Sequence, residues 1–297
     1  MRDASLRLFA GPRDVQLPAS PTVFGRTSVA YVDSKSILTP TSGFLSRYKF
    51  SLNPYLGCGF GCEYCYARFF APSAGQRQTW GQWVSVKRNA RELIARACYS
   101  GALKTGDAVY MSSVTDPYQP IERRLGLTRA ILEAVLESGV QPRLTIQTRS
   151  PLATRDIDLF QQFEKIRVNF SIPTDSEDVR LRYEPHAPSI AVRFKAAAQV
   201  GDAGVRMGVS ITPMLPIRDT EAFGIRLAGL NADGYSTQYL KPERSSFGAG
   251  STSEALRKAR EDAWGIREYS RARESLARIL GPDRKLFEGA GGYAPIR

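Results

Sequence analysis

Three of the four cysteines stand close together: Cys58, Cys62 and Cys65 form the pattern C-x3-C-x2-C within LNPYLGCGFGCEYCYARFF. Such a group of thiols binds metal or does redox chemistry. A structural zinc site usually takes two separate cysteine pairs or a Cys/His quartet. No second pair lies beside this one, and the single histidine, His186, is far along the chain. Cys98 falls in an amphipathic helical pattern and reads as a core thiol. Zinc with Cys98 or His186 as fourth ligand, or a thiol–disulfide couple, therefore matches the pattern less well than iron–sulfur. A 4Fe–4S cluster takes one ligand per iron. Three cysteines hold three irons and leave the fourth open to chelate a small molecule through an amine and a carboxylate, as catalytic metals keep an open position. The glycines between the cysteines let the loop close around a cluster.

The elements that must position this loop follow an alternating rhythm. Short β-branched segments at Lys49–Asn53, Asp107–Val114, Arg143–Thr148, Ile166–Ile172, Val205–Thr212 and Gly234–Leu240 read as strands. Helical spacing of apolar residues marks Asn89–Ser100, Leu127–Gly139, Arg155–Ile166 and Ser189–Gly204 between them. Strand and helix in alternation predict a parallel sheet built from βα units. About six such units make the fold an α/β partial (β/α)6-type barrel, with a doubly wound open sheet as the alternative. Residues 1–45 read as a loosely structured Pro/Ser/Thr/Gly-rich extension and residues 46–245 as the core. Residues 246–297 read as a linker, one charged helix over Ser251–Leu280 and a Gly-rich tail, partly disordered.

At 297 residues with 42% hydrophobic content, the chain can bury a full core without disulfides. No apolar run is long enough to span a bilayer, and the N-terminus lacks the apolar stretch of a secretory signal. The expectation is a soluble cytoplasmic protein. Lys and Arg total 41 against 29 Asp and Glu, a net charge of +12. The basic residues are spread without one dense patch, so they fit a solvated surface or an anionic partner, with nucleic acid first.

C-x3-C-x-aromatic-C, with Tyr64 as the aromatic, followed by a βα series, resembles the radical S-adenosylmethionine enzymes. NPYLGCGFGCEYCYAR, SSVTDPYQPIE, RSPLATRD and FSIPTD…YEPHAPSIAVRFKAA are similar to the spore photoproduct lyase family and its uncharacterised relatives, over about Ile37 to Tyr239. The resemblance implies that Cys58, Cys62 and Cys65 hold a 4Fe–4S cluster whose open iron binds S-adenosylmethionine. Given an electron from an external one-electron reductant, the cofactor is cleaved to a 5′-deoxyadenosyl radical that takes hydrogen from a substrate. It implies cofactor contacts at Tyr64 (through its backbone), Ser112, Ser113, Thr115, Asp116, Arg149 (to the carboxylate), Ser171 and Ile211 (against adenine). Glu184 and Arg193 complete this site or pair with one another. Tyr66 takes the place of a hydrogen-relaying tyrosine. Barrel geometry adds Tyr239 and Lys241 as residues that reach the substrate.

Two departures stand out. Ser113 occupies the place of the cysteine that donates hydrogen in the photoproduct lyases, and an O–H bond is stronger than S–H, so dimer reversal through that donor is not expected. Phe60 replaces a histidine at a non-ligand position. The reaction is open between a nucleic-acid or nucleotide substrate, a peptide, protein or small metabolite, and a non-catalytic iron–sulfur role.

Overall fold

The computed structural model describes residues 22–240 and 251–296. Its strands run in chain order β1 Thr22–Phe24, β2 Thr27–Val32, β3 Leu38–Pro40, β4 Phe50–Leu52, β5 Tyr55–Leu56 and β6 Trp83–Lys87. They continue as β7 Ala108–Met111, β8 Arg143–Thr148, β9 Ile166–Ser171, β10 Met207–Ile211, β11 Tyr235–Thr237 and β12 Leu286–Glu288. Eight of them form one sheet in the order β12-β11-β10-β9-β8-β7-β4-β3. Pairing from β4 to β12 is parallel throughout, and β3 adds antiparallel at one edge. The sheet is not closed: β3 and β12 are its two edges. It is an α/β fold with seven parallel strands in one open sheet; the expected class holds, and the sheet does not close as a barrel would.

The six strands read from sequence are β4 and β7–β11. They were legible because their two faces differ. One face carries Val109, Met111, Leu144, Ile146, Val168, Phe170, Met207 and Val209, all buried in the main core. The alternate positions are Ser51, Tyr110, Gln147, Ser171 and Ser210, which line a cavity. Period 2 thus separates packing from chemistry, because successive side chains on a strand point to opposite faces.

Three regions differ from expectation. The stretch read as a loose extension supplies β1, β2 and β3. A second sheet, β1-β2-β6-β5, forms when β2 pairs parallel with β6 and β5 pairs antiparallel with it. These strands are short and their partners are distant, so local pattern alone does not reveal them. The single charged helix is two, Ser253–Glu261 and Ile266–Leu280. Ala263 at φ 50° breaks the run. That break lets Trp264 bury its ring and donate from Nε1 to the Met214 carbonyl at 3.1 Å. The expected helix at Arg155–Ile166 is a 3-10 turn, Pro151–Asp156, followed by the short helix Ile157–Phe160. The expected linker falls largely outside the described residues.

The tail is also ordered. β12 extends the parallel sheet, and Tyr293 reaches the polar face, where its hydroxyl lies 2.9 Å from Ser210 Oγ. Arg143 and Arg167 donate to the carbonyls of Ile296 and Ala294 at 3.3 and 2.9 Å. Tail and sheet approach so closely that a Cβ on Gly292 would stand 2.3 Å from Ser236 Cβ. Gly292→Val is therefore expected to cost about 1–3 kcal/mol by overpacking, seen as a lower urea midpoint at unchanged slope. An unchanged midpoint would mean the tail is not docked in the folded state.

Candidate active site

β5 delivers the chain into the cysteine loop, and a 3-10 turn over Tyr66–Phe70 carries it out. Gly57 starts the loop at φ +82°, with a Cβ position only 2.6 Å from the Trp83 carbonyl, so neither its conformation nor its surroundings admit a side chain. Its carbonyl accepts from Thr115 Oγ1 at 2.6 Å. Gly59 donates to Gln119 Oε1 at 2.8 Å and accepts from Arg26 Nη2 at 3.0 Å. Gln119 and Arg26 thus clamp the loop from both sides. Neither was singled out from sequence, although Gln119 lies in the quoted SSVTDPYQPIE.

The loop borders a cavity of about 750 Å³ over the polar face of the sheet. Cys58, Cys62, Cys65, Tyr64, Tyr66, Ser112, Ser113, Thr115, Asp116, Arg149 and Ser171 all line it, as does Tyr239. Glu184, Arg193 and Ile211 do not. Ile211 has the strand parity of Met207 and Val209 and lies in the apolar core, while its neighbours Ser210 and Thr212 face the cavity. Lys241 lies outside the described residues. Cys98 is buried on the helix Ala90–Tyr99, which packs against the helix Leu127–Glu137, away from the loop.

All three loop cysteines are free thiols. Burial pushes Cys58 up to about 12, with Asp116 and Cys65 adding to the effect, and raises Cys62 and Cys65 as well. A metal cluster bound there would hold them as thiolates. Among the described residues, no three Cys, His, Asp or Glu side chains converge on a point that would hold a single metal ion. A multi-iron cluster makes no such demand, since each thiolate takes a different iron.

The charged groups behind the cysteines form one network. Arg149 Nη1 donates to Cys62 Sγ at 3.0 Å, to Tyr64 Oη at 2.9 Å and to the Glu184 carboxylate. Tyr64 Oη also donates to Glu184, and Arg193 Nη2 meets its second oxygen at 2.5 Å. Burial alone would raise Glu184, but Arg193 and Arg149 outweigh it and hold the carboxyl below its ordinary 4.5. Arg149 stays charged: burial opposes this, and Cys62, Tyr64 and Glu184 prevail. Its Nη2 has no hydrogen-bond partner among the described residues. Asp116 ties the next loop to the end of β8, accepting from Thr148 Oγ1 at 2.7 Å and from the Arg149 amide at 2.9 Å. Asn53 holds the same loop, donating to Ser113 Oγ and accepting from the Val114 amide, both at 3.1 Å. Tyr66 is half-exposed at the cavity, its hydroxyl donating to the Ser113 carbonyl.

Two buried hydroxyls on the cavity wall, Ser112 Oγ and Thr212 Oγ1, have no partner among the described residues. Ser112 also sits at φ 80°, a strained conformation for a residue with a side chain. Unsatisfied buried donors in the same cavity as a charged arginine suit a polar ligand carrying an amine and a carboxylate.

An open parallel sheet whose polar face meets a three-cysteine loop defines the class, and the comparisons agree with it. Residues 52–223 match the radical SAM superfamily, and the chain belongs to that superfamily of enzymes. An uncharacterised protein of Methanocaldococcus jannaschii is 34% identical over 191 residues, covering 64% of this chain and 69% of that one. A second uncharacterised relative, from Acidianus two-tailed virus, is 32% identical over 174 residues, 56% of each chain. A radical SAM Nα-GlyT isomerase of Pseudomonas phage M6 is 27% identical over 164 residues, 55% of this chain and 32% of that protein. Among solved structures, a spore photoproduct lyase variant with dinucleoside spore photoproduct has the same fold, at TM-score 0.61 and 17% identity, covering 88% of this chain and 82% of that one.

Because Glu184 is buried between two guanidiniums, removing one leaves an underpaired buried charge. Arg193→Met is expected to destabilise the fold by about 3–5 kcal/mol. The carboxyl's folded pKa is depressed, so its contribution is full above 4.5 and is lost as pH falls through the lower folded value. Acid unfolding followed by circular dichroism should show a midpoint at higher pH for Arg193→Met than for the natural chain. Equal midpoints would mean the pair does not carry this stability.

Proposed function

We propose that this chain is a radical S-adenosylmethionine enzyme that removes a hydrogen atom from a nucleic-acid or nucleotide substrate. The observation that carries the reading is the convergence, in one cavity, of the three C-x3-C-x2-C thiols with the charged Arg149 and the hydroxyls of Ser112 and Thr212, which have no partner among the described residues. In this reading Cys58, Cys62 and Cys65 hold three irons of a 4Fe–4S cluster. With an electron from an external reductant, the cluster supplies reductive cleavage of S-adenosylmethionine to a 5′-deoxyadenosyl radical.

The protein's part is binding, orientation and shielding. Arg149 spends Nη1 on Cys62, Tyr64 and Glu184, and offers Nη2 to the cofactor carboxylate, a match of fork to carboxylate. Ser112, Ser113, Thr115 and Asp116 border the place for the methionyl amine, and Ser171 at the end of β9 is the ribose or methionyl contact. Glu184 and Arg193 act from behind the cavity by holding Arg149 and Tyr64 in place. Tyr66 is the candidate hydrogen relay, its phenol beside Ser113 at the cavity. Tyr239, on the cavity wall, is a candidate substrate contact. The net charge of +12 supports a polyanionic substrate. Among the described residues no helix is long and apolar enough to cross a membrane.

Anaerobically reconstituted and reduced, the full chain is expected to convert S-adenosylmethionine to 5′-deoxyadenosine, measured by chromatography. Cys58→Ala, Cys62→Ala and Cys65→Ala should each fall to background. Added single-stranded oligonucleotide should raise turnover where an acidic peptide does not. No 5′-deoxyadenosine from the loaded natural chain would overturn the enzyme reading, and stimulation by the peptide alone would move the substrate to that class.

A further inference from the structure

Among the described residues two cations line the cavity, and Arg149 is paired with Glu184. Lys87 is the other. It ends β6, is only partly exposed, and lines the same cavity as the cysteines. Its backbone amide donates to the Pro54 carbonyl, but its ammonium has no hydrogen bond or carboxylate partner among the described residues. Burial lowers its pKa, and no neighbouring charge counters the shift. Holding a charge away from water without a counterion is unfavourable, and a ligand anion would relieve it.

A second observation comes from the same cavity. Tyr66 and Phe70 both line the cavity yet leave 47% and 55% of their surface exposed. Their rings stand edge to face, 6.3 Å between centroids at 85°. Exposed aromatic faces stack unpaired bases, and a lysine receives a phosphate as a point charge. A base stacked within a duplex offers no free face to an aromatic ring, so a strand read here must be single or locally opened.

We propose that Lys87 is a phosphodiester subsite of the cavity and that Phe70, braced by Tyr66, is the stacking face for an unpaired base of the same single-stranded nucleic acid. This rests on the nucleic-acid reading above and adds the residues that would read the strand. A phosphate contact is independent of base sequence, so Lys87 sets affinity and register, while the aromatic face admits any base.

The test is fluorescence anisotropy of a short labelled single-stranded oligonucleotide with the reconstituted full chain across a salt series. Lys87→Gln is expected to weaken binding about tenfold, as for loss of one charge-assisted contact, and to flatten the salt dependence by about one phosphate. Lys87→Arg should keep most of the binding, and Phe70→Ala should lose about tenfold. Lys104→Gln, which removes one charge from an exposed site away from the cavity, should bind like the natural chain. If Lys87→Gln does not fold, Lys87→Met, which preserves the packing of the stem, gives the same comparison. Unchanged affinity and salt slope in Lys87→Gln would refute the subsite while leaving the nucleic-acid reading intact. Failure of the natural chain to bind the oligonucleotide at low salt would overturn both.

Discussion

A carboxylate taken out of water must be met by positive charge, and Glu184 is the residue on which the rest of this site depends. It lies at the C-terminal end of the helix Glu177–Tyr183 and is fully buried. Arg149 comes to it from the end of β8, Arg193 from the helix Ile190–Asp202, and Tyr64 from between the second and third loop cysteines. Arg193 also donates to the Ser171 carbonyl at 3.2 Å, which adds the end of β9. Four separate segments are thus registered against one charge. Because Glu184 and Arg193 are fully buried, losing either guanidinium leaves a buried carboxylate underpaired. Arg149 is the link between this anchor and the cysteines, so the electrostatics that fasten the scaffold also place a cation beside Cys62.

The sheet supplies the second constraint. Its parallel strands are buried on both faces, but the two faces are unlike. The helix-packed face is aliphatic, and the cavity face carries hydroxyl, amide and aromatic groups. The difference explains why Ile211 belongs to packing while Ser210 and Thr212 belong to the cavity. On the polar face a cluster of Tyr48, Tyr110 and Tyr293 fills the space beside the cavity, and one of its members comes from the C-terminal tail. The second sheet places β5 and β6 on the cavity side of the cysteine loop. Lys87 enters the cavity from there, and Trp83 closes over Gly57.

The loop cysteines announce themselves by residue type and spacing. SSVTDP, Arg149 and Ser171 were expected from the family resemblance, and Ser112, Ser113, Thr115, Asp116, Arg149 and Ser171 do line one cavity with the cysteines. Glu184 and Arg193 stood in the same motif with two roles open, and the geometry shows them paired and set back from the cavity. Arg26, Gln119 and Asn53 were not picked out, because a residue that clamps a loop through one hydrogen bond leaves no periodic trace. Lys87 was hidden for another reason. A lysine ending a strand looks solvated until the absence of a partner around it can be seen.

By itself the sequence determined the chemistry on offer and the local geometry: three thiols in a flexible loop, and strands and helices whose periods of 2 and 3.6 state which face packs. Those properties depend on residues a few positions apart. Tertiary structure alone decided which elements share an edge, that the sheet stays open, that the tail's Tyr293 enters the polar face, and that the charged C-terminal helix breaks to bury Trp264. It also decided which charges find partners. Pairings such as β2 with β6, or Glu184 with Tyr64 across 120 residues of chain, depend on long-range closure and shared burial, which no local pattern encodes.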